Sequence, residues 1–125
     1  MIPLKLLLVD DSAAFLRALS GYLGTQPHLQ VVGTARSVDE ALALIRAGAR
    51  PDMLLMDINL PGVDGLTGMR RLRAELPGVA IIIVSLLDGQ AYREAAAAYG
   101  AAAFVSKARL NHDLLATIHQ VAAHR

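Results

Sequence analysis

Short apolar runs alternate along this chain with stretches whose apolar residues recur at helical spacing. Leu4 to Val9 reads as a buried strand, and Phe15, Leu19, Tyr22 and Leu23 set the inner face of a helix. Leu29 to Gly33 predicts a second strand, shorter and at an edge. Ser37-Val38-Asp39-Glu40 is a capping box. It opens a helix with Val38, Ala41, Leu42 and Ile45 inward, stopped by Gly48. Met53 to Met56 predicts a third strand with Asp57 at its end. After the turn-rich stretch Asn59 to Gly65, Asp64 can cap a helix that runs through Leu76, with Leu66, Met69, Leu72 and Leu76 inward. Pro77-Gly78 breaks it. Val79 to Val84 is an unbroken apolar run, a fourth strand. A weaker, alanine-rich helix follows from about Asp88 to Tyr99, then a strand from Ala102 to Val105. Leu110, Leu114, Ile118 and Val121 define a last helix.

Five strands alternating with five helices imply an α/β fold with a parallel sheet covered on both faces, because each strand reads as a continuous apolar run. Right-handed crossovers make it a doubly wound single domain over residues 1–125, with the flavodoxin-like strand order 2-1-3-4-5. The chain's 125 residues suit one domain, and 54% apolar against 18% charged residues gives it a full core. The first apolar run is cut by Lys5 and ended by two aspartates, so it predicts a strand rather than a leader. No run approaches the ~20 apolar residues of a membrane helix.

In open parallel sheets, ligands bind beyond the carboxyl ends of the strands. The first strand ends in Asp10-Asp11, the third in Asp57, the fourth in Ser85, the fifth in Ser106-Lys107. The predicted order brings all of them to one rim. Aspartates with an ordinary pKa of about 3.9 are ionised at neutral pH, and such clustered charges repel unless a cation intervenes. A hard divalent cation with oxygen ligands, Mg2+ or Mn2+, answers that need. A lysine facing the same cavity suits phosphate. The chain has ten arginines and only two lysines, Lys5 and Lys107, so this late lysine stands out. Without cysteine there is no thiolate nucleophile, and no histidine stands at a strand end. Asp57, on the central strand between the acidic pair and the lysine, is the candidate acceptor. Each residue alone has a plainer role: Asp11 can cap the next helix, and Ser85 can be a loop hydroxyl.

Together, Asp10-Asp11, Asp57, Pro61 with Asp64-Gly65, Ser85 and Lys107 resemble the signature of response-regulator receiver domains, in order and over the whole chain. Gly100 to Lys107 is similar to the receivers of LuxR-type regulators. The resemblance implies a flavodoxin-like receiver fold and phosphorelay signalling in the cytoplasm of a bacterium. Asp57 would be the phosphoacceptor. Asp11, Asp57 and the Asn59 backbone carbonyl would hold Mg2+, with Asp10 acting directly or through water. Lys107 would pair with phosphoryl oxygens. Ser85 and Phe104 would switch the face made by the fourth helix, fifth strand and fifth helix. The donor would be a sensor histidine kinase or phosphotransfer protein, with small acyl phosphates as substitutes. A homodimer through the switched face is implied; direct nucleic-acid or membrane contact is not. The domain would catalyse its own phosphorylation and dephosphorylation without being a conventional enzyme.

Two positions depart from the family. Leu86 stands where a small residue is usual and would narrow access to Asp57. Ala108 stands where proline usually follows the lysine, often after a cis bond. A cis bond before a non-proline costs about 2.5–4 kcal/mol, which favours trans here and a different seat for Lys107. These departures leave open a receiver-like module that signals by protein interaction with little phosphorylation. A nucleotide- or flavin-binding enzyme fits less well, since Gly62, Gly65 and Gly68 match neither GxGxxG nor a P-loop. Arg70, Arg71 and Arg73 read as a solvated helix face. His112, His119 and His124 read as surface residues. Tyr92, Tyr99 and the nearby alanines can line either a dimer surface or a core face.

Overall fold

The computed structural model describes residues 2–60, 62 and 64–124. The elements are β1 (Leu4–Val9), α1 (Ala13–Gly24), β2 (Leu29–Ala35), α2 (Val38–Arg46), β3 (Met53–Met56), α3 (Gly65–Glu75), β4 (Ala80–Ser85), α4 (Gln90–Ala98), β5 (Ala103–Ser106) and α5 (Leu110–Ala123). A 3-10 turn, Lys107–Arg109, joins β5 to α5. The strands form one sheet in the order β2-β1-β3-β4-β5, every pair parallel. The chain thus has the five-stranded, flavodoxin-like architecture expected of it.

The continuous apolar runs are explained by two cores, one on each face of the sheet. Leu7, Val9, Leu54, Met56, Ile81 and Ile83 face the layer of α2, α3 and α4. Their neighbours Leu6, Leu8, Met53, Leu55, Ile82 and Val84 face α1 and α5. Successive strand residues point to opposite faces, so a strand buried on both sides has no polar alternate.

Side chains fix the helix starts. Ser12 Oγ accepts from the Phe15 amide at 3.1 Å, Ser37 Oγ from Glu40 at 3.1 Å, and Asp64 Oδ1 from Thr67 at 3.0 Å. Each such cap contributes about 1 kcal/mol. Ser12, rather than Asp11, caps α1, which leaves the Asp11 carboxylate free of that duty.

β4 and β5 each lie one residue later than the sequence reading places them, and β2 and α4 differ further. β2 extends to Ala35 and is the longest strand. Its register against β1 shifts between Leu6 and Leu7, so Leu7 pairs with Gly33. Gly33 marks this irregularity rather than the strand's end; a Cβ there would lie 3.0 Å from Leu7 Cδ1. α4 begins at Gln90 with Gly89 at its N-cap, while the Asp88 carboxylate accepts from the Ser106 hydroxyl.

Candidate phosphoryl-acceptor and metal site

The carboxyl ends of β1, β3 and β5 bring Asp10, Asp57 and Lys107 into direct contact. The Lys107 ammonium donates to Asp10 Oδ2 at 2.7 Å and to Asp57 Oδ2 at 3.1 Å. Asp10 and Asp57 are buried, at 2% and 7% exposure, while Asp11 is exposed. One carboxylate oxygen from each of Asp10, Asp11 and Asp57 lies within 4.8 Å of the others. This compact set of hard oxygen donors fits a divalent cation such as Mg2+.

Local backbone contacts set the carboxylates. Asp10 Oδ1 accepts from the Ser12 amide at 2.9 Å, and Asp57 Oδ1 from the Asn59 amide at 3.2 Å. Both aspartates thus close short turns that aim the other oxygen at Lys107. Asn59 itself is exposed on the same loop. Burial pulls the Lys107 ammonium toward lower pKa, but the hydrogen bonds it donates to Asp10 and Asp57, with their charges, outweigh it and raise it above 10.5. The lysine therefore stays protonated across the physiological range.

Ser85 and Phe104 stand where the sequence places them, on neighbouring strands. Ser85 is 1% exposed, and its hydroxyl accepts from the Leu87 amide at 3.0 Å. Phe104 is half-buried, with the Arg93 guanidinium carbon 4.7 Å from its ring centroid. Leu86 is 69% exposed, on the rim. Ala108 is exposed, and its amide donates to Ser106 Oγ at 3.2 Å. No described peptide bond is cis. The trans Lys107-Ala108 link nevertheless carries the ammonium to both carboxylates. Pro61 lies outside the described residues.

Several contributors escape sequence reasoning. The Phe15 ring lies under the Lys107 ammonium, 4.2 Å from Nζ to centroid, although spacing alone marks it as a core position. Arg36 Nε donates to the Asp11 carbonyl at 3.0 Å. Gly65, already part of the sequence signature, has a structural reason: its amide donates to the Ile58 carbonyl at 2.7 Å, and a Cβ there would fall 2.6 Å from the Asp57 carbonyl oxygen. The Ser106 hydroxyl donates to Asp88, tying the β4–α4 loop to the strand end beside Lys107. The arginine run is not simply solvated. Arg71 pairs with Asp39, Arg70 stacks on Tyr99, and Arg73 donates to the Tyr99 and Gly100 carbonyls. On α4 only Ala96 is fully buried; Tyr99 packs against the core and Tyr92 is exposed.

The chain is similar to known proteins over most of its length. The family model for the response regulator receiver domain matches residues 6–119. The chain is 39% identical over 109 residues to a protein-glutamate methylesterase/protein-glutamine glutaminase of Geobacillus kaustophilus, covering 86% of this chain and 31% of that protein. It is 37% identical over 122 residues to the DNA-binding transcriptional activator DevR/DosR of Mycobacterium tuberculosis, covering 97% and 55%. The chain thus spans only part of these curated relatives. Among solved structures, a LuxR-family two-component response regulator from Aurantimonas sp. SI85-9A1 superposes with a TM-score of 0.90 at 28% identity, over 98% of this chain and 87% of that one. The signal receiver domain of NarL from Mycobacterium tuberculosis superposes with a TM-score of 0.88 at 26% identity, over the full length of both. Among the described residues, no helix is long and apolar enough to cross a membrane.

Proposed function

Because the chain belongs to the response regulator receiver domain family, we propose that its residues 1–125 act as one receiver that accepts a phosphoryl group on Asp57 and converts the added charge into a change of surface. The observation that carries this reading is the Lys107 ammonium held between Asp10 and Asp57, beside a third carboxylate. Asp10, Asp11, Asp57 and the Asn59 carbonyl would hold Mg2+ or Mn2+. The bound ion would supply positive charge for the phosphoryl oxygens.

The chain's own groups do the rest. The Asp57 carboxylate forms an O–P bond as the P–N bond of a phosphohistidine on a sensor kinase or phosphotransfer protein breaks, and the imidazole leaves with the electron pair. Lys107, a compact point charge, transfers its second hydrogen bond from Asp57 to a phosphoryl oxygen while Asp10 keeps its hold. Ser85 turns from the Leu87 amide toward the new oxygens, and Phe104 follows inward. The added charge of about −1.5 to −2 biases that two-state element. The face of α4, β5 and α5 then acts on an output domain or partner, a second copy included. Leu86, on the rim, sets how readily donors and water reach Asp57, and Ala108 sets the turn that delivers Lys107.

The protein given acetyl phosphate and Mg2+ should gain one phosphoryl mass. Asp57→Ala should not, nor should wild type in EDTA. Equal labelling of wild type and Asp57→Ala would overturn the assignment. A wild type that binds Mg2+ but never labels would favour the interaction module.

A further inference from the structure

His28 and His119 are 91 positions apart in the chain, yet their Nε2 atoms face each other in hydrogen-bond contact. The ring centroids are 4.6 Å apart, and the planes are inclined by 42°. His28 ends the α1–β2 connection, and His119 lies on α5. Both are at the end of the sheet opposite the acidic site, since β2 starts directly after His28.

We propose that this pair is a second, separate metal site, for a borderline d-block divalent cation of which Zn2+ is the probe. Imidazole nitrogen suits Zn2+, Cu2+ and Ni2+, whereas Mg2+ takes oxygen. The two centres therefore select different ions by ligand chemistry alone. Both histidines stand on fixed backbone. The His28 carbonyl accepts from the Leu4 amide at 2.9 Å, and His119 follows Ile118, which is wholly buried. Two ligands held in advance bind at a smaller entropic cost than two free imidazoles. Binding would need only a small rotation of the exposed His119 ring, to the separation that two Zn–N bonds of ~2.0–2.1 Å require. In the metal-free pair one Nε2 carries the shared proton. On binding, that proton moves to Nδ1 through solvent, both Nε2 lone pairs face the ion, and water completes the coordination. The ion would then clip the α1–β2 loop to the last helix across a long stretch of chain. A ligand bound only by the folded state raises its stability.

The test uses untagged protein with Mg2+ in excess, titrated with Zn2+ by calorimetry and followed by thermal melting. Wild type should bind one Zn2+ per chain and melt at a higher temperature with it. His28→Gln and His119→Gln should each weaken binding by at least about tenfold and abolish the rise in Tm, since ligand loss costs no less than loss of a supporting hydrogen bond. His112→Gln should match wild type. Equal Zn2+ affinity in all four proteins overturns the proposal, as does a Zn2+ signal that vanishes in Asp57→Asn and persists in His119→Gln. Because His119 is exposed, its variant decides the matter even if His28→Gln folds poorly.

Discussion

Lys107 Nζ lies 2.7 Å from Asp10 Oδ2, a contact between an ammonium whose side chain is 14% exposed and a carboxylate at 3%. Asp57 shares the same ammonium at 3.1 Å. This lysine is the only group of opposite charge touching the two buried aspartates among the described ion pairs.

Replacing it with methionine keeps much of the volume and leaves two buried carboxylates without their cation. Removing one partner of a buried pair costs about 3–5 kcal/mol. Lys107→Met should therefore lose roughly that much stability in urea melts with EDTA. Mg2+ should restore a large part of the loss, because the ion supplies the missing charge. Its affinity for Mg2+ should exceed that of wild type, in which lysine competes for the same oxygens. A variant as stable as wild type in EDTA would show that solvent already screens these carboxylates. The sign with pH follows from the raised pKa: the lysine's contribution is present below 10.5 and is lost as pH rises through the higher folded value.

Gly65 and Gly21 make a contrasting pair. A methyl on Gly65 meets the backbone of Asp57 and Ile58 at 2.6 Å, and backbone cannot rotate away. Gly65→Ala should lose about 1–3 kcal/mol and weaken Mg2+ binding, because the loop that carries Asp57 must shift. Gly21 sits mid-helix in α1 with nothing within 4 Å of an added Cβ. Gly21→Ala should gain about 0.5–1 kcal/mol through helix propensity. Chemical denaturation of both variants, with and without Mg2+, separates the steric effect from the propensity effect.

How far the sequence foretells this site depends on the range of each interaction. The rim of Asp10, Asp57, Ser85 and Lys107 is legible because each residue ends or follows an apolar strand, and alternation with helices implies a parallel sheet whose flavodoxin-like order brings those ends together. The Phe15 ring beneath Lys107 and the Arg36 contact with Asp11 are not. Helical spacing marks Phe15 as inward without saying what it faces, and an arginine at a strand end carries no signal of its own. Gly33 misleads because a glycine in a strand suggests a stop as readily as an irregular pairing. His28 gives no signal because its partner is 91 positions away.

The Asp64 cap gives a pH prediction. The hydrogen bond from the Thr67 amide, opposed by burial and aided by the Thr67 hydroxyl and the Leu66 amide, holds the Asp64 carboxyl below 3.8. A carboxylate with a depressed folded pKa contributes stability above its unfolded value and loses it as pH falls through the folded one. Asp64→Ala should thus be less stable than wild type by about 1 kcal/mol at neutral pH. The gap should narrow only below about pH 4. Thermal melts from pH 3 to 7 (roughly the carboxylate range) test this, and a gap constant over that range would assign the cost to something other than the charged cap.

The Ser106–Asp88 hydrogen bond predicts where the receiver is loose. Asp88 precedes α4, whose N-cap Gly89 has no side-chain cap, so few contacts fix this end of the helix. Arg93 Nε adds a bond to the Asp88 carbonyl at 2.9 Å, and Ser106 Oγ also accepts from the Ala108 amide. One carboxylate therefore joins the loop carrying Leu86 and Leu87 to the turn carrying Lys107. Asp88→Ala should cost about 1 kcal/mol and speed amide exchange at residues 86–92 while leaving β1 and β3 protected. Ser106→Ala should do the same, and the double variant should cost less than the sum of the two, because either change breaks the same bond. If the two costs add fully, Asp88 and Ser106 stabilise the protein through separate contacts, and the loop is not tied to the lysine turn.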